Sequence, residues 1–566
     1  GRIEDFLSFA QTTSYTGGAE YLDSYRGGDG DDTVTLQGGA GSVVLGRGEN
    51  VLTVTDNSVD SVSTNSEGSA AIQLGAAARI NQARIQQQAT VDVAGSLEVA
   101  RLSDFDDVVT YTGNGRSGAL RLLQGDNTVN MGGQYIDMVE AYDGNDTINL
   151  TSGRIGYASL GNGSDEVVLS GGVLNDLDTG RGNDTLTVTG GDIYLIRLSD
   201  GNNVATIDAD SGSDLFLTFD GRDRLTAESW IGTVRTGGNR DIVTVNGGAE
   251  LVSVGDGKDD VTTGTEFVEA VNLGSGNDRF ILGSGGANYL RAGDGLDFAD
   301  LSEAYVQFIW MGNDNDRLVV GNEGIGMARM GDGNDTIFVN QLDMFRGGLM
   351  NGGGGEDTLD FSDFDYGITF SLDLTGQYQM LPNADGNMGV DEAAYVGELG
   401  IEKLNGTRFD DTLTAEDSDK VFAASNTLNG LSGNDTLISL GTDDFLNGGG
   451  GVDLLFGGDG VDVLRGDGGR DTLQGDAGDD RLYGGTAADD FVFLDNGQNG
   501  QDRIKDWEDG SDELDLTDFG FASFAQVLAI ASNSGSLNMK LDFGGGNQVV
   551  IENFRLADFD ASDVIL

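Results

Sequence analysis

The sequence has no cysteine, no histidine and a single proline, Pro382, and it sets 31 lysines and arginines against 95 aspartates and glutamates. Without cysteine there is no disulfide framework, and pairing says nothing of the redox compartment. Without histidine, the paired-histidine zinc-protease motif and the serine–histidine–aspartate hydrolase arrangement are both excluded. Imidazole acid–base chemistry is absent from the whole chain. A formal net charge of −64 leaves no basic footprint for phosphates, so nucleic acid is excluded as a partner. No apolar run approaches the roughly 18 residues of a membrane-spanning helix, and no membrane insertion is expected. The opening residues, Gly1-Arg2-Ile3-Glu4-Asp5, have neither an initiating Met nor the basic-then-apolar pattern of a signal peptide.

What is abundant is glycine, 93 of 566 residues. Glycine this rich with almost no proline is neither collagen nor a disordered Pro/Gly linker. It implies many tight turns that need positive φ. The acidity has two readings, a solvated surface or carboxylates that hold cations, and the placement of the acids decides between them.

That placement is periodic. From Gly448 the chain reads GGGGVDLLF, GGDGVDVLR, GDGGRDTLQ, GDAGDDRLY, GGTAAD. Asp453, Asp462, Asp471, Asp480 and Asp489 fall nine residues apart, and Asp435 and Asp444 keep the phase. A large apolar residue follows two positions later: Leu437, Leu446, Leu455, Leu464, Leu473, Leu482 and Phe491. A looser repeat fills the first two-thirds. Its turns, such as GRGNDTLTV at Gly180 and GDGNDTIFV at Gly331, are anchored on Asp32, Asn50, Asp107, Asn127, Asp146, Asp165, Asp184, Asn203, Asp223, Asp241, Asp260, Asp278, Asp297, Asp316 and Asp335. Most intervals are 18 to 20 residues, and the 57 residues from Asn50 to Asp107 are three such steps. Two coils near Ser69 and Gln88 therefore keep the spacing without an acidic turn. Alternation of polar and apolar residues, as over Thr185–Thr189, reads as strand, so each period is one coil of turn, strand, turn, strand.

The nonapeptide block resembles the RTX (repeats-in-toxin) calcium-binding repeat, a β-helix signature. The resemblance implies an all-β chain: a parallel β-solenoid or β-roll with about 19-residue coils, then 18-residue calcium-binding coils, and a C-terminal cap. The expected organisation is an N-terminal segment (1–26), a long solenoid (27–360), a connecting segment (361–429), the calcium-binding roll (430–493) and a cap (494–566). Within the connecting segment, IEKLNGTRFDDTLTA resembles the lead-in to such blocks. The closing VVIENFRLADFDASDVIL resembles an uncleaved type I export signal, so a secreted, extracellular or cell-surface location is expected.

Stacked turns explain the residue types. Coils of a parallel solenoid lie roughly 4.8 Å apart, where two carboxylates repel by roughly 0.9 kcal/mol in water and about 3.5 kcal/mol at an effective dielectric of 20. A cation between them reverses the sign, and calcium accepts six to eight oxygens in loose geometry. Magnesium demands a stricter octahedron, and transition metals lack His and Cys ligands. The resemblance assigns ligation of several calcium ions to Asp435, Asp444, Asp453, Asp462, Asp471, Asp480 and Asp489. Analogy extends it to Asp32, Asp146, Asp165, Asp184, Asp223, Asp241, Asp260, Asp278, Asp297, Asp316, Asp335 and Asp357. Asn50, Asn127 and Asn203 are expected to serve as stacked amides. Because nearly all of the chain is repeat, the solenoid itself is expected to be the working part. The leading expectation is a non-enzymatic structural subunit of a surface layer, sheath or filament that self-associates with calcium. An adhesin or matrix protein that binds polysaccharide, such as cell-surface polysaccharide, or another cell is the alternative, and a β-helix polysaccharide epimerase or lyase a third reading. No catalytic residue is nominated.

Overall fold

In the computed structural model the chain is described over residues 2–7, 13–208, 212–321, 323–340, 349–371, 400–415 and 425–566. Pro382 and much of the expected connecting segment lie outside the described residues. The chain divides into two compact units, residues 1–285 and 286–566. It is an all-β parallel solenoid, and each unit is built from the same coil.

In the first unit the strands Thr147–Ser159, Glu166–Asp178 and Thr185–Ser199 open T-I-N-L, E-V-V-L and T-L-T-V. The alternation sends Ile148, Val167 and Leu186 inward, one directly over the next in parallel register, and all three are fully buried. β-Branched and leucine side chains suit a pleated, covered surface. The return half of each strand repeats the stacking through Ile155, Leu174 and Ile193. The expected far turn at Gly190-Gly191 is a bend within a continuous strand. Gly182, two residues before Asp184, has φ +147°, and a side chain there would overlap the Gly163 carbonyl oxygen one coil below. Only glycine meets both demands. The parallel ladder already includes Arg2–Ile3, Phe6–Leu7 and Thr13–Gly17, so coil structure begins before residue 27.

In the second unit two ladders run side by side. Lys403–Asn405, Thr427–Asn429, Phe445–Gly450, Val463–Gly468, Arg481–Thr486 and Gln501–Ile504 form one. Thr369–Ser371, Thr412–Ala415, Thr436–Ser439, Leu454–Phe456, Thr472–Gln474, Asp490–Val492, Glu513–Asp515 and Val564–Ile565 form the other. Leu446, Leu464 and Leu482 face Leu437, Leu455, Leu473 and Phe491 across the interior, all fully buried. Each such leucine stabilises by about 2 kcal/mol relative to exposure. The described parts of 361–429 thus continue the ladders where the period lapses. The last 70-odd residues also contribute strands, together with an antiparallel hairpin, Asn538–Gly544 against Asn547–Ile551, and a short helix, Phe524–Leu528. Trp507 sits between Phe491 and Phe554, ring centroids 5.9 and 5.6 Å away, and closes the apolar interior.

Candidate metal sites

Strand alternation fixes where each anchor points. Two residues before an inward leucine or valine, the side chain is inward as well, so the turn aspartates are buried, each no more than 3% exposed. They stack in columns. The backbone N–H of Asp435 donates to Oδ1 of Asp453 at 2.8 Å, Asp453 to Asp471 at 2.9 Å and Asp471 to Asp489 at 2.9 Å. In the opposite turn Asp444 donates to Asp462 and Asp462 to Asp480, both at 2.8 Å. The nine-residue rhythm is therefore two columns of 18-residue step.

The same ladder runs through the first unit, from Asp146 to Asp165, Asp184, Asn203, Asp223 and Asp241. In the second it links Asp297, Asp316, Asp335 and Asp357. A second ladder, one residue earlier, runs the other way. Oδ1 of Asp126 accepts from Asn145 N–H, and Oδ1 of Asn434 from Val452 N–H.

The structure corrects one anchor. Asp241 N–H donates to Asp259, and Asp259 N–H to Asp278, so Asp259 stands in the column. Asp260 begins the strand Asp260–Thr263 and pairs on the surface with Arg240. In GDGKDDVTT the expected anchor is Asp260, but only Asp259 has glycine two before and an apolar residue, Val261, two after. The coils without an acid place Ala70 and Ala89 at the column position, one residue beyond Ser69 and Gln88. Gln87, fully buried, fills that gap and donates to the Gly46 and Glu67 carbonyls. Asp411, Asp502 and Asp512 are further buried column members. Each has an apolar residue two positions on, Leu413, Ile504 and Leu514, a signal that spacing alone had hidden.

Above Asp32, whose two oxygens are both buried without a partner among the described residues, Oδ1 of the laddered aspartates is satisfied by backbone, and Oδ2 is the telling atom. In Asp435, Asp453, Asp462, Asp471, Asp480 and Asp489 it is buried without a hydrogen-bond partner among the described residues, as it is in Asp146, Asp165, Asp316, Asp335 and Asp357. No lysine or arginine among the described residues pairs with the six block aspartates. A buried carboxylate with an empty oxygen costs several kcal/mol. In the block the residue five before is always glycine for these six, and the space its side chain would fill is lined by oxygen. A Cβ on Gly457 would lie 2.7 Å from Asp462 Oδ2 and 2.6 Å from the Gly475 carbonyl oxygen. No group of three or more carboxylates converges among the described residues, so an ion here draws its other ligands from turn carbonyls.

The asparagine coils show what such a space wants. The Asn50 amide donates to the Gly46 and Gly48 carbonyls at 3.0 and 3.3 Å, and that of Asn203 to Ser199 and Gly201, both at 3.2 Å. An amide N–H₂ brings positive hydrogens to carbonyls that an aspartate rung leaves facing a carboxylate, which is the place of a cation. A hydroxyl serves differently. Thr179 donates to Asp184 Oδ2, Ser439 to Asp444 Oδ2 and Ser103 to Asp107, so those carboxylates are capped by the chain itself.

Electrostatics agree with the geometry. Burial, followed by the charge of stacked neighbours, pushes Asp462 and Asp316 up to about 8 against the inward backbone N–H bonds. Asp435, Asp480 and Asp489 rise to about 7 and Asp471 to about 6, burial again the main cause. These columns suit an oxygen-seeking divalent cation of loose geometry, and the residues present fit calcium.

The family model of the RTX calcium-binding nonapeptide repeat (4 copies) matches residues 124–154, 422–455 and 456–491. The chain carries RTX repeats. The matched stretches hold Asp146 of the long solenoid and every block anchor from Asp435 to Asp489, and RTX repeats bind calcium. No curated protein matches the chain. Among solved structures, the crystal structure of extracellular lipase LipA from Serratia marcescens is similar at 18% identity over 51% of this chain, with a TM-score of 0.12. Only 45% of that lipase chain is covered, and a likeness this slight carries no argument about activity.

Proposed function

We propose that this chain is a secreted, non-enzymatic structural protein of a cell surface, folded and assembled by calcium. The observation that carries the reading is the set of buried Oδ2 atoms stacked coil upon coil with no partner among the described residues. Calcium that binds them only in the folded state makes binding energy into folding energy. Secretion accords with the usual setting of RTX repeats, which typify type I-secreted extracellular proteins. No helix among the described residues is long and apolar enough to cross a membrane.

Assembly follows from surface charge. The turns also carry exposed acids beside the buried ones, among them Asp410, Asp443 and Asp479. At −64 bare molecules repel, and divalent ions bridge carboxylates between copies as they do between coils. The test is sedimentation across protein concentration at millimolar calcium. The reading expects large, chelator-reversible assemblies. A single monomeric boundary throughout would remove the structural role and leave the polysaccharide-binding adhesin in first place.

A further inference from the structure

The turn between the two strands of each coil, away from the aspartate column, carries a second pattern. In the first unit, residues 213, 231, 249 and 268 share one register position. The residues immediately before them are Gly212, Trp230, Gly248 and Phe267, so rings and glycines alternate on successive coils. Trp230 is 50% and Phe267 47% exposed, and neither ring serves the core. Gly248 has φ +83°, and a side chain on it would come 3.6 Å from Trp230 Cδ1 and 2.7 Å from the Phe267 carbonyl oxygen. The close approach and the positive φ both call for glycine, so no side chain stands at this position between the rings. In the second unit, Gly286, Tyr305 and Gly324 hold the corresponding place before residues 287, 306 and 325, and Tyr305 is 45% exposed.

Half-exposed rings at a fixed register, two coils or about 10 Å apart, stand outside the buried core; with the bare glycine coil between them they make a comb. Large exposed apolar groups set in polar surroundings mark binding surfaces. The charged groups here are of one sign, and the Asn246 amide donates to Glu228 at 2.8 Å. Glu228 and Glu266 are exposed beside the rings, and residues 225–232, 245–249 and 263–269 contain no lysine or arginine. The neighbouring Ser229 is 7% exposed, and its hydroxyl has no partner among the described residues. Rings accept the C–H face of a sugar, and carboxylates accept its hydroxyls. The lack of cations disfavours uronates and sulfated chains.

We propose that this comb binds a neutral polysaccharide laid along the coils. Sugar faces rest on Trp230 and Phe267, the chain passes over Gly248, and hydroxyls donate to Glu228 and Glu266. The proposal concerns the turn that the calcium columns do not use, and it stands whether or not the molecule assembles.

The test is affinity electrophoresis of the full chain in calcium, in gels containing hydroxyethyl cellulose, laminarin, dextran or polygalacturonate. Retardation by at least one of the three neutral glucans is expected. Trp230→Ala and Phe267→Ala should each weaken it by about tenfold or more, while Trp230→Phe keeps most of it. Circular dichroism and calcium titration of all three variants should match the parent, which separates lost binding from lost folding. The proposal is overturned if none of the glucans retards the chain, if only polygalacturonate does, or if the alanine variants are retarded as the parent is. It is also overturned if those variants lose self-association in sedimentation in place of glycan binding, which would give the rings to a second copy.

Discussion

Asp184 in the long solenoid and Asp462 in the nonapeptide block occupy the same place in their coils, and both accept a backbone N–H on Oδ1. They differ in the residue five before. Thr179 donates its hydroxyl to Asp184 Oδ2, whereas Gly457 gives Asp462 nothing and leaves an oxygen-lined space. Asn203, one coil after Asp184, goes further and supplies its own amide hydrogens to the turn carbonyls. A buried polar oxygen must be matched, and the chain has three ways to do it: hydroxyl, amide or an ion. The first aspartate of each block column carries a hydroxyl cap, Asp411 from Thr407 and Asp444 from Ser439, although Asp411 also has glycine, Gly406, five before it and Asn426 is the rung before Asp444. The rungs that the chain completes for itself can form first, and those that need calcium can stack upon them.

The sharpest way to break this comparison is to truncate both members. Asp462→Ala removes a ligand and leaves its carbonyl partners bare, so calcium affinity should fall about ten- to a hundredfold. Asp184→Ala should lower the thermal midpoint while calcium affinity stays as in the parent, since its carboxylate is already matched inside the chain. Titration calorimetry with thermal melts checks both, and equal losses of affinity would erase the distinction. Asp471→Asn should move a block rung into the asparagine class. Calcium stoichiometry should drop, yet the calcium-free protein should gain about 1 kcal/mol, because the amide replaces an uncompensated carboxylate with a hydrogen-bonded group. Chemical denaturation in excess chelator measures it, and a calcium-free stability below the parent's would contradict the amide-for-ion equivalence.

The gentlest expected effect is on pH. Carboxylates pushed up to between about 6 and about 8 in the folded, calcium-free chain lie above the roughly 3.9 of an unfolded aspartate. The folded state therefore binds more protons in that window. Its stability from these groups is fully present below about pH 4 and is lost as pH rises through the folded values. In chelator, the melting midpoint should rise as pH falls from 8 to 5. With saturating calcium the trend should flatten or reverse, because ligands must lose their protons. A chelated midpoint that does not move over that range would remove the raised carboxylates from the account.

Much of this was legible in the sequence. The nine-residue spacing from Asp435 to Asp489, with leucine two residues on, gives the two columns and the core they flank. The 19-residue step gives the long solenoid. What spacing could not give was phase where two acids adjoin: Asp259 and Asp260 both fit the 18-to-20-residue step, and only Val261 two residues on marks Asp259 as the inward one. Gln87 was invisible because it reaches its partners across two coils. The hydroxyl caps Thr179 and Ser439 were plain in the sequence but acquire meaning only once Oδ2 is seen to point at the fifth residue back. Residues 403–405, 412–415 and 427–429 join the ladders although insertions between them break the count. The alternation of Trp230, Gly248 and Phe267 appears only when the register aligns turns of unequal length.

The measurement closest to the central claim is the far-ultraviolet circular dichroism and thermal midpoint of the full chain at neutral pH, in millimolar calcium and again in excess chelator. The account predicts a large loss of strand signal and of midpoint on chelation, both restored by returning calcium. An unchanged spectrum and midpoint would show that the buried aspartate columns hold without the ion, and would contradict it.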